Sequence, residues 1–272
     1  MQLGPEVLHL STVPISYIRY IVKDVGEVNV KGAKGETALT VAAQAGRDDI
    51  VELLISRGAD VNSQDELGNT ALHHFFYDSD IKFLFDESRK LECLELLLNH
   101  GADSNAQTTE KQSPLALAIE KQWLAGVKCL IGHGADINAR NGDSGQIALK
   151  LAAENKWLDG MRWLVSCGAN INVRGYRKPS TLVLAVQKRW LAGVECLISH
   201  GANINARNDD FGQTALILAA ESGWFNGVRC LVNHGADINA KDMLGRRALD
   251  CAKDRELREY LKSQCARACI IS

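Results

Sequence analysis

The pentapeptide Gly-Ala-Asp/Asn-x-Asn begins at Gly58, Gly101, Gly134, Gly168, Gly201 and Gly235, at intervals of 43, 33, 34, 33 and 34 residues. A weaker copy, Gly26-Glu27-Val28-Asn29, sets Asn29 another 33 residues before Asn62. Chance does not sustain that spacing, so the chain is an array of one supersecondary unit. One such unit cannot bury its apolar face alone, and the copies must stack on one another to close a continuous core.

Each period reads the same way. A short apolar stretch such as Thr214-Ala215-Leu216-Ile217-Leu218-Ala219-Ala220 suits a first helix, with alanines where a second helix approaches closely. Gly223 follows as a helix stop, then a second amphipathic stretch, Val228-Arg229-Cys230-Leu231-Val232, ends at Gly235. The Asn-, Asp- and Gly-rich segment that follows predicts a projecting hairpin finger.

In this pattern the sequence resembles the ankyrin-repeat family. The nearest match runs from Gly35-Glu36-Thr37-Ala38-Leu39-Thr40-Val41-Ala42-Ala43-Gln44-Ala45-Gly46 through Ile50-Val51-Glu52-Leu53-Leu54 to Gly58-Ala59-Asp60-Val61-Asn62. The resemblance covers roughly residues 15–262 and implies an all-α solenoid of about eight units with short β-hairpin fingers. The expected organisation is a solenoid over 1–262, with a degenerate first unit at 1–33, an insertion near 78–90 and a C-terminal cap at 244–262; a flexible tail occupies 263–272. The family's Thr-Pro-Leu-His tetrapeptide survives only in pieces, as Thr70-Ala71-Leu72-His73 and Ser113-Pro114-Leu115-Ala116. The inter-repeat hydrogen bonding of that histidine is therefore expected to be mostly absent, leaving apolar packing to carry more of the stability.

Composition excludes several function classes. The 31 Lys and Arg nearly cancel the 33 Asp and Glu, so no global field favours nucleic acid. The amino-terminal Met1-Gln2-Leu3-Gly4-Pro5-Glu6 lacks the basic and apolar regions of a secretory signal, which leads to the expectation of a cytoplasmic protein with a retained N-terminus. Four of the eight cysteines, Cys93, Cys129, Cys196 and Cys230, recur at one repeat position. Neighbouring copies would stand about 8–10 Å apart, beyond disulfide reach, and read as small core residues of a reducing compartment. His100, His133, His200 and His234 each precede a repeat glycine and are spread along the array, so they gather around no single metal or substrate. With no phosphate loop, nucleophile elbow or HExxH signature, no enzyme, cofactor or small-molecule substrate is expected.

Three features stand out as partner-binding candidates. Trp123, Trp157, Trp190 and Trp224 fall between the two helices of four consecutive units, each followed three positions later by Gly126, Gly160, Gly193 or Gly227. The pairing suggests an indole lying over an absent side chain; the functional alternative is an aromatic ladder. The 43-residue unit carries its extra residues between its helices, around Phe75-Phe76-Tyr77 and on through Phe83 and Phe85 to Glu87, as a docking loop or as a cover for the joint between units. Finger bases repeat a cation at Arg140, Arg174, Arg207 and Lys241, a candidate stripe for an acidic partner, although Asp143, Asp209, Asp210 and Asp242 dilute it.

The last residues, Cys265-Ala266-Arg267-Ala268-Cys269-Ile270-Ile271-Ser272, end in a sequence that resembles a CaaX box. The resemblance implies that a prenyltransferase attaches a farnesyl group to Cys269, followed by proteolysis and carboxyl methylation. A single chain holds a membrane only marginally, which makes Cys265 the candidate for a second, palmitoyl anchor. The expected function is a protein-protein interaction scaffold held by this anchor at the cytosolic face of membranes. Two alternatives are a soluble ankyrin-type regulator or inhibitor of a partner enzyme, and an ankyrin effector of an intracellular bacterium acting in a host cell.

Overall fold

The computed structural model describes residues 28–77, 87–141, 147–173, 179–208 and 211–271, without the side chains of Glu87 and of 267–271. The chain divides into two compact units, Met1–Ser144 and Gly145–Ser272. Among the described residues of the first, six helices form three pairs: α1 (Ala38–Gln44) with α2 (Asp48–Ser56), α3 (Ala71–Tyr77) with α4 (Glu87–Asn99), and α5 (Pro114–Glu120) with α6 (Leu124–Gly132). The second holds α7 (Ala148–Glu154), α8 (Leu158–Ser166), α9 (Thr181–Gln187), α10 (Leu191–Ser199), α11 (Ala215–Glu221), α12 (Phe225–Asn233), α13 (Ala248–Cys251) and α14 (Arg255–Ile271).

Within each unit the first helices pack in one row and the second helices in another. In the first unit α1 contacts α3 and α3 contacts α5, while α2 contacts α4 and α4 contacts α6. In the second, α7, α9, α11 and α13 succeed one another, and α8, α10 and α12 do the same. The first helices are at most seven residues long and too short to stand alone, so their stability comes from burial. Leu39, Ala42, Ala43, Leu149, Ala152 and Ala153 are all at most 1% exposed. Ser and Thr start several of them: the side chains of Thr37, Ser113, Ser180 and Thr214 accept from the backbone N–H three residues on, and Pro114 adds a fixed φ at the first helical position.

The repeat glycines end the second helices in the left-handed region, with φ between 83° at Gly235 and 89° at Gly168. At the first of these, Gly58 N–H donates to Ile55 O (2.9 Å) and Ala59 N–H to Leu54 O (3.0 Å), closing the last helical turn. Where they are described, the fingers that follow are tight turns rather than paired strands. In the second, Asp65 N–H donates to Asn69 O (2.9 Å) and Gly68 N–H to Asp65 O (3.0 Å). The Arg207–Thr214 pair is an isolated bridge, and no longer ladder forms among the described residues.

Two boundaries differ from expectation. Phe75, Phe76 and Tyr77 belong to α3, and α4 spans thirteen residues where α2 spans nine, so part of the insertion is helical. Residues 78–86, with Phe83 and Phe85, lie outside the described residues, as does most of the expected first unit. The tail expected from 263 onward is helical to Ile271, because Lys262, Gln264, Ala266, Arg267 and Ala268 favour helix and neither Gly nor Pro interrupts them.

Candidate functional site

Successive fingers are stitched together through side chains that the repeat supplies at fixed positions. Asn29 donates from Nδ2 to Gly58 O (3.1 Å) and accepts at Oδ1 from Asp60 N–H (2.8 Å). Asn62 repeats this with Gly101 and Asp103, Asn105 with Gly134 and Asp136, and Asn172 with Gly201 and Asn203. Each bond is worth about 0.5–1.5 kcal/mol net. Inter-repeat hydrogen bonding is thus supplied by the asparagine of the repeat motif, at the opposite end of the finger from the position where the histidine is mostly missing. Where that histidine survives, His73 accepts at Nδ1 from Thr70 N–H (3.2 Å) and pairs through Nε2 with Gln112 O (3.1 Å). Burial lowers its pKa, which favours the neutral ring.

The tryptophans cap the second helices through their backbones and lie over their own glycines. A Cβ built on Gly126, Gly160, Gly193 or Gly227 would stand 2.1, 1.9, 2.1 or 2.0 Å from Cε3 of Trp123, Trp157, Trp190 or Trp224. That geometry matches the packing alternative. Trp157 is 8% exposed and presents little surface to a partner, while the other three are half-buried. Trp123 closes an aromatic cluster, with its ring 5.9 Å from Phe75 and 6.1 Å from Phe76. Phe76 is 4% exposed, which removes it from the docking candidates: on a seven-residue helix packed between two neighbours, it faces the core.

Tyr77, on the same helix, points elsewhere. It is 40% exposed, and its hydroxyl donates to Asn69 Oδ1 (3.0 Å). It borders a groove of about 620 Å3 in the first unit, walled on one side by the tips of the first three fingers, at Lys34, Asp65–Leu67 and Thr108–Glu110, and on the other by α1 and α3, at Gln44 and His74. Leu67, at the tip of the second finger, is 63% exposed. The finger tips are fixed: Glu66 N–H donates to Lys34 O (3.1 Å) and Thr109 N–H to Leu67 O (2.9 Å). Asp65 joins floor and wall, accepting from Leu67 N–H, Asn69 N–H, Asn69 Nδ2 and His74 Nε2 at 2.8–2.9 Å. Burial acts to raise its pKa, but these donors outweigh it and hold the carboxyl below its ordinary range. Burial first, and then the charges of Asp65, Glu110 and Glu120, push the Tyr77 phenol up. The sequence marks Tyr77 but not Leu67; the signal it offers for Leu67 is a leucine at a turn tip, where the turn needs no apolar side chain.

A family model described as ankyrin repeats in three copies matches residues 15–87, 83–175 and 178–266. The chain belongs to the ankyrin-repeat family. Its fold is similar to the crystal structure of the ankyrin repeat domain of Bcl-3, described as a unique member of the IkappaB protein family: TM-score 0.74, 28% identity, covering 84% of this chain and 99% of that one. An ankyrin repeat domain from Acinetobacter baumannii aligns with TM-score 0.64 and 26% identity over 73% of this chain and 98% of that one. The NF-kappa-B p105 subunit of Gallus gallus is 31% identical over 159 residues, 54% of this chain and 15% of that protein. The ankyrin chain spans only 6–10% of the length of the first curated relatives it matches, among them the intracellular phospholipase A2 of Caenorhabditis elegans, 33% identical over 99 residues.

The remaining candidates of this ankyrin chain are distributed rather than gathered. Arg207 serves the stitching, donating to Gly212 O (2.9 Å) and to Lys241 O of the next finger, as Lys31 does to Gln64 O and Gln107 to Arg140 O. Arg140 and Lys241 are exposed, and Arg174 lies outside the described residues. The repeated histidines cap helix ends: His100, His133, His200 and His234 hold Nδ1 at 2.7–2.9 Å from the carbonyl four residues back. Burial pushes the Cys93 thiol up to about 12 and that of Cys129 to about 11, which keeps them protonated and unreactive. No group of three His, Cys, Asp or Glu suited to a metal occurs among the described residues, and no helix there is long and apolar enough to cross a membrane. Cys265 is half-buried on α14; the Cys269 side chain lies outside the described ones.

Proposed function

We propose that this ankyrin chain is a non-catalytic scaffold that binds a partner protein in the groove of its first unit. The carrying observation is the exposure of Leu67 and Tyr77 together along a groove whose walls are fixed by backbone hydrogen bonds. A rigid concave site with exposed apolar anchors suits protein recognition, since little conformational freedom is lost on binding. The similarity to Bcl-3 and NF-kappa-B p105 supports a regulatory role for that binding. Pull-down of cellular proteins with the full chain, compared between wild type and a Leu67→Asp/Tyr77→Ser variant of unchanged circular dichroism, tests the reading. A partner retained by wild type and lost by the variant is expected; an identical set on both contradicts it.

The terminal Cys269-Ile270-Ile271-Ser272 supports a second element of the proposal, farnesylation of Cys269 with Cys265 as an auxiliary palmitoyl site, which would hold the scaffold at the cytosolic face of membranes. Cys269→Ser then moves the protein from the membrane to the soluble fraction of cells with active farnesyltransferase. Equal membrane fractions for the two proteins contradict lipidation and leave the scaffold reading untouched.

A further inference from the structure

We infer that the groove of the first unit selects a protein segment in which a lysine or arginine adjoins an apolar side chain. The inference rests on the protein-binding reading above and specifies the chemistry of the partner. Three carboxylates line the groove, Asp65, Glu66 and Glu110, against Lys34 and the His74 that pairs with Asp65. Asp65 is already engaged, its side chain only 8% exposed and paired with His74. Glu66 and Glu110 are different: both are exposed, and they stand at the tips of adjacent fingers on either side of Leu67 and Thr109. Glu120, at the end of α5, extends the negative field, accepting from Gln112 Nε2 (3.4 Å), whose side-chain oxygen in turn faces the Tyr77 hydroxyl (3.4 Å).

The cations nearby do little to cancel this. Lys31 donates its ammonium to Gln64 O (2.8 Å), and Lys111, which follows Glu110 on the third finger, is not among the lining residues. The partner's cation then has Glu66 and Glu110 as counter-charges at the finger tips, while its apolar neighbour covers Leu67 and the Tyr77 ring. Such a site also repels acidic protein segments, so charge sets specificity as well as attraction.

Selection of a random dodecapeptide phage library on the full-length protein tests this, with binding of the enriched phage compared on wild type, Leu67→Asp and Glu66→Gln/Glu110→Gln. All three substituted side chains are exposed, and matched thermal midpoints verify folding. The expected result is a set of Leu67-dependent peptides enriched in Lys or Arg beside Leu, Met or aromatic residues. Those peptides bind the double glutamine variant about three- to tenfold more weakly. They also release as salt rises from about 0.1 to 1 M, where the screening length falls from about 10 to 3 Å. Leu67-dependent peptides that are neutral or acidic, or indifferent to the glutamine variant, overturn the charge selectivity while leaving the protein-binding groove in place. A selection that yields no Leu67-dependent peptide overturns the groove reading and this inference with it.

Discussion

The α1–α2 junction of the first unit and the α7–α8 junction of the second make the same turn with opposite side chains. At α1–α2 the left-handed residue is Gly46 (φ 63°), Arg47 caps the next helix, and Ile50 fills the core at 0% exposure. At α7–α8 the left-handed residue is Lys156 (φ 52°), Trp157 is the cap, and Gly160 stands where Ile50 did, leaving room for the indole. The volume behind the cap is filled either from the helix, by isoleucine, or from the cap itself, by tryptophan. The backbone turn is therefore the fixed requirement, and each side chain is chosen by its partner rather than by its position alone.

Both junctions close over the same kind of core, and the largest expected effect comes from breaking it. Leu149→Asp on α7, at 0% exposure, removes a buried leucine and buries an unpaired carboxylate, costing about 4 kcal/mol in urea denaturation. Gly160→Ile forces a side chain into the space of the Trp157 ring and costs about 3 kcal/mol. Adding Trp157→Arg to that variant installs the α1–α2 arrangement and recovers about 1–2 kcal/mol, a coupling that independent sites would not show. Lys156→Gly relieves a left-handed non-glycine residue and raises stability by about 0.5–1 kcal/mol.

The smallest effect separates the junctions by pH. Arg47 donates to both Asp49 oxygens at 2.8 Å, and this hydrogen bonding holds the Asp49 carboxyl below its ordinary value. Because the folded pKa is depressed, the contribution is complete above the unfolded carboxylate range near 3.9 and is lost as pH falls through the lower folded value. The pair is partly exposed, so Arg47→Ala costs roughly 0.5 kcal/mol at pH 7 and less near pH 3. Trp157→Ala, lacking such a partner, costs the same at both.

The repeat made most of the fold legible. The spacing of Gly58, Gly101, Gly134, Gly168, Gly201 and Gly235 located the ends of the second helices, and the indole-over-glycine pairing followed from Trp and Gly recurring three apart. Phe76 was misplaced because a phenylalanine next to an insertion resembles a loop residue until the helix is known to run to Tyr77. The asparagine stitches were missed for a different reason. A polar side chain at a turn usually serves its own backbone, and only the three-dimensional stacking shows Asn62 reaching Gly101, 39 residues away. The groove was illegible for the same cause: Leu67, Tyr77 and Glu110 belong to three segments, and only stacked fingers bring them together.

The central claim, that the first-unit groove is the protein-binding surface, is tested most directly by site-specific photo-crosslinking in cells. Benzoylphenylalanine replaces Leu67 in the groove, or Glu52 on the exposed side of α2, in otherwise native full-length protein. The account predicts a discrete protein adduct from position 67 that is absent from position 52 and that disappears when Tyr77→Ser is added. Identical adducts from both positions, or none from position 67 while position 52 yields one, would contradict it.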